Sequence, residues 1–375
     1  MKRAGLHPHP SVESKGPLPR LLMGRAYKAL VAVLYVLGSL WILIMWTTDV
    51  RPFVGLNLLD KARVLDVVFG RAHRPFVYRV LVPWLVRLLL ALLPEGIERW
   101  FSTDIYVAFP LVGQMMDFLS WEREYLPVYL AIVFLTYIAI IGFMLSLRWI
   151  ADQNYRMPRY LLDALPFFSL LILPVFFKRG THFLYDMPAL FLFTLGLACL
   201  RAEKHRWYYT VYILGLLNKE TMLLLGLVFV LWHRGRKDRR SLWGHAGVHL
   251  FLFALIKGGL ALLYRDNPGA QAEFRLGENL IFYTYPYWFT TVASVVAVVL
   301  LIGHRWQEKP LFLRQALWLV PPFLLLYLVM GSWGEIRVFY ELFAVLFLLG
   351  FQTIAWIMGW PMVAREESGS EPLRL

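Results

Sequence analysis

Long uncharged runs of apolar residues alternate with short polar connections along almost the whole chain. They occur near residues 27–46, 77–93, 103–120, 126–147, 161–177, 183–200, 248–264, 288–303, 316–330 and 342–358. Most approach the ~20 residues that a helix needs to cross a hydrocarbon core of about 30 Å. The pattern predicts an all-α polytopic transmembrane helical bundle of about ten spans. Residues 27–358 form one membrane domain, with an outer loop over 47–76, a basic tail over 1–26 before it and a second cytoplasmic tail over 359–375. The run 207–232 departs from the rule, because Asn218, Lys219, Glu220 and Thr221 interrupt its centre. A straight helix would put Lys219 and Glu220 in hydrocarbon. The expectation is therefore a broken, re-entrant pair of half-length helices meeting at a polar tip, since irregular backbone at depth is tolerated where protein walls it.

Composition sharpens this picture. Apolar residues make up 59% of the 375 and charged residues only 17%, against about 25% charged in a soluble domain. A soluble globular protein, a disordered chain and a coiled coil are excluded. Cys199 is the single cysteine, so neither an intrachain disulfide nor a cysteine metal site is expected. The net charge of +13 resides in the loops, where it reports topology before it reports binding, and no nucleic-acid partner is implied. Lys2, Arg3, Lys15, Arg20 and Arg25 precede the first run and place the N-terminus in the cytoplasm, and that run reads as a retained anchor. Alternation then gathers 22 of the 38 Lys and Arg residues in the inner segments 1–26, 94–102, 148–160, 201–206, 233–247, 304–315 and 359–375, against 11 in outer loops. The weakest spans are 77–93, with Arg79 and Arg87, and 103–120, with Gln114 and Asp117. Each also fits an interfacial helix or a short buried span.

With this topology nearly every unusual polar cluster falls on the outer side. The loop 47–76 holds Asp49, Asp60, Asp66, His73 and Arg74 and runs into Pro75-Phe76-Val77-Tyr78-Arg79. Its acids are readable as solvated charges or caps, and Asp60 and Asp66 fit a surface helix over 57–69. The turn Lys178-Arg179-Gly180-Thr181-His182-Phe183-Leu184-Tyr185-Asp186 carries cations against the inside bias. Asp186 is either a helix cap before Pro188 or a carboxylate at a cavity mouth, with Lys178, Arg179 and His182 placed for a phosphate. At the tip, Lys219 and Glu220 are either a structural pair or part of a binding site, as broken membrane helices often provide. In Gly334-Glu335-Ile336-Arg337, Glu335 and Arg337 face one pocket if the loop is extended, and otherwise form an exposed ion pair. Lys257 lies too deep to snorkel, which calls for an inward phosphate or carboxylate partner. His245 and His249 share a helix spacing but lack a third ligand, and read as an edge pair rather than a metal site.

Acids and cations beside a lipid wall suit a substrate whose phosphate lies at headgroup level. Asp49 after the first run, the long loop behind it and Pro75-Phe76-Val77-Tyr78-Arg79 resemble the entry region of GT-C fold membrane glycosyltransferases. Tyr185-Asp186, Asn218-Lys219-Glu220-Thr221 and Gly334-Glu335-Ile336-Arg337 are similar to motifs of bacterial multi-pass proteins grouped with them. The resemblance implies a GT-C-like bundle in the bacterial inner membrane. It implies inverting sugar transfer from a polyprenyl-phosphate donor to a glycan or lipid acceptor. A carboxylate would take the acceptor's proton and cations would neutralise the departing phosphate. By resemblance the base is Asp49, with Asp186 its rival and Glu335 the third catalytic acid. The phosphate-binding set is Arg79, Lys178, Arg179, His182, Tyr185, Lys219, Glu220, Lys257 and Arg337. A divalent ion, Mg or Mn, is the only cofactor that this chemistry leaves open, and no ligands are assigned to it. The chain departs from the family in lacking a doubled acid beside Asp49 and a sizeable C-terminal soluble domain. A transporter or flippase of a lipid-linked saccharide or small anion is the alternative, and a surface-glycan polymerase or ligase the third reading.

Overall fold

A computed structural model describes residues 24–48, 60–177, 183–270, 274–281, 284, 288–331 and 336–365. The described residues are all-α apart from one two-residue pairing of β1 (Tyr155–Arg156) with β2 (Val363–Ala364). In chain order the helices begin with α1 (Arg25–Thr48), α2 (Val64–Val68), α3 (Leu81–Ala91), α4 (Glu95–Arg99), α5 (Ile105–Ala108) and α6 (Pro110–Phe118). Then come α7 (Leu126–Asn154), α8 (Arg159–Ile172), α9 (Pro174–Phe177), α10 (Asp186–Arg201), α11 (His205–Asn218) and α12 (Leu223–His233). The last are α13 (Arg239–Leu263), α14 (Leu276–Leu280), α15 (Trp288–Gly303), α16 (Leu311–Ala316), α17 (Val320–Met330) and α18 (Tyr340–Ile357).

Among the described residues six helical segments are long and apolar enough to cross a membrane: Arg25–Thr48, Arg123–Asn154, Arg159–Phe177, Arg239–Leu263, Leu311–Met330 and Arg337–Ile357. That is fewer than the ten apolar runs. The shortfall is clearest in 77–93 and 103–120. In the first, helix α3 covers 11 residues, about 16 Å at 1.5 Å per residue and half of a hydrocarbon core. In the second, Phe109 leaves helical geometry (φ −135°, ψ 81°) immediately before Pro110 and splits α5 from α6; a residue before proline is disfavoured in the α region. The Tyr106 hydroxyl donates to the Arg123 carbonyl at 2.5 Å. The chain between Arg79 and Arg123 thus leaves from and returns to the same end of the bundle.

Two ends of the bundle are defined by contacts. At the basic end Tyr27 donates to Asp163 at 2.9 Å, Arg148 pairs with Asp163 at 2.6 Å, and Arg365 reaches Asp152 at 3.1 Å. The start of α1, the end of α7, the start of α8 and the strand pair meet there. The opposite end gathers 60–79, 120–126, 183–186, 218–222 and 336–341.

The break in 207–232 is present. Helix α11 stops at Asn218, Lys219 is extended (φ −157°, ψ 141°), and one 3-10 turn over Glu220–Met222 leads into α12. The two helices fold back on each other. Tyr208 donates to the Leu225 carbonyl at 3.1 Å, and the His205 and His233 rings lie 5.6 Å apart. Helices of 14 and 11 residues reach only about 21 and 16 Å, too short for either to cross a hydrocarbon core of about 30 Å alone.

Helix α10 is the most enclosed element; 13 of its 16 residues are buried, Asp186 among them. It packs on α7 through Gly142, where an added Cβ would lie 2.6 Å from the Phe191 ring and under 3 Å from three of its atoms. A rigid ring cannot yield there. Gly142→Ala is expected to cost about 1–3 kcal/mol, the usual range for overpacking. Thermal unfolding in detergent measures it, and an unchanged transition would mean that the two helices are not this close.

Candidate functional site

Four segments bring charge to one place. The first is the strap 70–79. Gly70 starts it with a left-handed backbone (φ +74°) that a side chain rarely adopts. The loop after α13 fixes it: Asn267 donates to the Gly70 and Ala72 carbonyls at 2.9 Å each, and Arg74 N–H donates to the Pro268 carbonyl at 2.9 Å. The strap ends at Arg79. Its guanidinium forks onto Glu220, Nη2 to Oε1 at 2.5 Å and Nε to Oε2 at 3.3 Å, and also donates to the Tyr185 hydroxyl. Two parallel bonds fix angle as well as distance.

The second segment is Phe183–Asp186, entering α10. Asp186 is fully buried, accepts from Phe183 N–H at 2.8 Å and pairs with Arg337 at 3.4 Å. It therefore combines the local bond of a helix start with a charge contact 151 residues away in sequence. Phe183 and Tyr185 stack at 5.1 Å, with Arg337 4.2 Å from the Phe183 ring centroid and Arg79 4.3 Å from that of Tyr185. A guanidinium lies over each ring of a stacked pair.

The third is the hairpin tip. Asn218 donates to the Tyr185 carbonyl at 2.9 Å and anchors the tip on the start of α10. The fourth is the start of α18, where Glu341 is 1% exposed. The Lys219 ammonium lies 2.9 Å from its Oε1, and the Thr221 hydroxyl donates to the same atom. Lys257 approaches from α13 within electrostatic reach of Glu220 and Arg79. Its ammonium is buried and, among the described residues, has no hydrogen-bond partner.

Of the residues singled out from the sequence, Arg79, Tyr185, Asp186, Lys219, Glu220, Lys257 and Arg337 thus meet in one cluster. Asp49, Lys178, Arg179, His182 and Glu335 lie outside the described residues. Glu341 belongs to the cluster and was missed as a site residue. Its signal, an acid in the first turn of a very apolar helix, is the same one that marked Asp186. Asp60 and Asp66 lie apart from it, in pairs with Arg63 at 2.6 Å and Arg71 at 3.4 Å. His245 and His249 bond to Tyr209 and Tyr208, each at 2.8 Å.

Three carboxylates, Asp186, Glu220 and Glu341, face four cations, Arg79, Lys219, Lys257 and Arg337. Among the described residues each of these carboxylates lies against at least one of the cations. Among the described residues no group of three or more His, Cys, Asp or Glu side chains is arranged to hold a metal ion. No protein-family model matches the chain, and no curated protein and no solved structure matches it.

Proposed function

We propose that this chain is an integral membrane glycosyltransferase of the GT-C type. It transfers a sugar from a polyprenyl-phosphate donor to a glycan or lipid acceptor, with inversion, at the polar end of the bundle. That end is extracytoplasmic in this reading, the basic end and the N-terminus are cytoplasmic, and the membrane is a bacterial inner membrane.

The observation that carries the reading is the buried Lys257 ammonium, without a hydrogen-bond partner among the described residues, beside the Arg79–Glu220 fork. An unpaired charge in an apolar bundle is costly unless something else neutralises it. A phosphodiester oxygen would give the Lys257 ammonium the hydrogen-bond acceptor that it lacks among the described residues. In the forward reaction the acceptor oxygen bonds to the anomeric carbon while the bond to the phosphate oxygen breaks. The electron pair leaves on the polyprenyl phosphate, and Lys257, Arg79 and Arg337 stabilise the charge gained. The carboxylates of the cluster are weaker candidates for the base, because each lies against a cation that stabilises its ionised form and lowers its basicity. Asp186 therefore positions Arg337 and does not touch the acceptor. The base falls to Asp49, with Glu335 beside Arg337 as the second acid.

Two variants test this assignment. Asp49→Asn is expected to lower transfer by about 10²–10⁴-fold, the range for a lost general base, with donor affinity retained. Release of polyprenyl phosphate from short-chain sugar donors by the purified protein is the readout; an unaffected rate removes Asp49 from the chemistry. Arg337→Lys replaces a planar fork by a point charge and should weaken donor affinity by about tenfold, one lost charge-assisted bond. Unchanged affinity would leave Arg337 a purely structural partner of Asp186.

The transporter reading has one observation in its favour, the folded-back hairpin with its polar tip. Against it, the charged groups gather at one end of the bundle instead of at its middle.

A further inference from the structure

A second polar site lies at the same end of the bundle, on the outer side of the strap. It is a cleft of about 340 Å³ lined by Arg63, Asp66, Arg71, Ser120, Glu122 and Tyr125. One wall comes from the 3-10 turn and α2 region before the strap, the other from the turn that enters α7. Arg71 stands eight residues ahead of Arg79, so the cleft and the charged cluster share one short, clamped segment. The Tyr125 ring meets Phe69 edge-on at 6.2 Å, and Arg71 lies 5.6 Å from the Phe69 ring centroid. Ser120 is one of the few described non-glycine residues with a left-handed backbone (φ 53°), a conformation that costs free energy and turns its side chain into the wall.

We infer that this cleft is a binding site for neutral saccharide. Its size sits at the lower end of the ~300–1,000 Å³ typical of small-molecule sites, enough for a short sugar. Its charges balance, two guanidinium groups against two carboxylates, and both guanidinium groups already touch acids: Arg63 on Asp60 and Arg71 on Asp66. An anion would have to displace those acids, and a cation would be repelled by the arginines. A polyol displaces nothing. Pairs of neighbouring hydroxyls match planar carboxylate and guanidinium edges, which keep unused acceptors and donors after one ion pair. Among the described residues the Glu122 carboxylate has no ion pair at all. The apolar face of a sugar ring has Leu65 and the Tyr125 ring to lie against. The inference deepens the transferase reading, on which it rests for the sugar's role as acceptor; the binding itself does not depend on it.

Saturation-transfer NMR on the full chain in nanodiscs tests it, with methyl glycosides and disaccharides of glucose, galactose, mannose and N-acetylglucosamine as probes. At least one probe should receive saturation. Glu122→Gln and Tyr125→Ala should each weaken its binding by about tenfold, as for one charge-assisted bond or one ring contact; the melting temperature should stay put in Glu122→Gln, at an exposed position, and fall only modestly in Tyr125→Ala, whose ring packs on Phe69. Inorganic phosphate should not compete. No saturation of any probe, binding unaltered in both variants, or displacement by phosphate each overturns the saccharide site. Saccharide binding in a protein that performs no transfer leaves the cleft standing and overturns the transferase reading instead.

Discussion

Lys257→Met should produce a protein that melts at a higher temperature than the parent and no longer holds its donor. The ammonium is buried without a hydrogen-bond partner among the described residues, on helix α13. Methionine keeps the length and flexibility of the stem and removes the charge. Folding then no longer has to strip water from an ion that gains no partner, a term of several kcal/mol before relaxation. Residues kept for binding are commonly suboptimal for stability, and a gain on removing a charge is the signature of that conflict. The phosphate loses a charge-assisted contact of about 1.5–3 kcal/mol, which corresponds to roughly 10–150-fold in affinity. Thermal unfolding and donor titration on the same preparation read both effects. A variant that melts lower would mean that Lys257 has a structural partner.

Asp186→Asn is the second large effect, and it runs the other way. The carboxylate is 0% exposed and opposes the Arg337 guanidinium, itself 11% exposed. Removing one partner of a buried ion pair costs up to about 3–5 kcal/mol, less where the remaining charge keeps other contacts, as Arg337 does with the Phe183 ring. The amide can still accept from Phe183 N–H, so the local helix start survives and the loss reports the ion pair. Activity should fall with stability because Arg337 loses its tether. The double variant Asp186→Asn, Arg337→Gln separates the two roles: stability should recover in part, whereas donor binding should not. Recovery of both would reduce the pair to a structural device. Full stability in Asp186→Asn alone would show that the carboxylate acts only as a helix cap.

The sequence revealed the kind of molecule and the members of the cluster better than it revealed the path of the chain. Four polar residues in the middle of an apolar run have few physical outcomes, and the break at Lys219 is one of them. Asp186 and Lys257 stood out for the same reason, as charges where hydrocarbon or protein must surround them. The runs 77–93 and 103–120 misled because apolar content does not measure helix length. Helix α3 has 11 residues, and Phe109-Pro110 ends a helix that hydropathy alone would continue. Pairing was invisible: Arg79 and Glu220 lie 141 residues apart and Asp186 and Arg337 lie 151 apart. Nothing local in either segment names its partner. Without those contacts Asp186 looked as suitable a base as Asp49. With them it is an anchored counter-charge.

The claim that everything else depends on is that the buried Lys257 ammonium near the hairpin tip exists to hold a lipid-linked phosphate. Titrating a short-chain polyprenyl monophosphate that carries no sugar into the parent protein and into Lys257→Met, in nanodiscs and side by side, tests it most directly. Saturable binding to the parent, weakened at least tenfold in the variant, is the predicted result. Equal affinity for the two proteins, or no saturable binding to the parent, would contradict it.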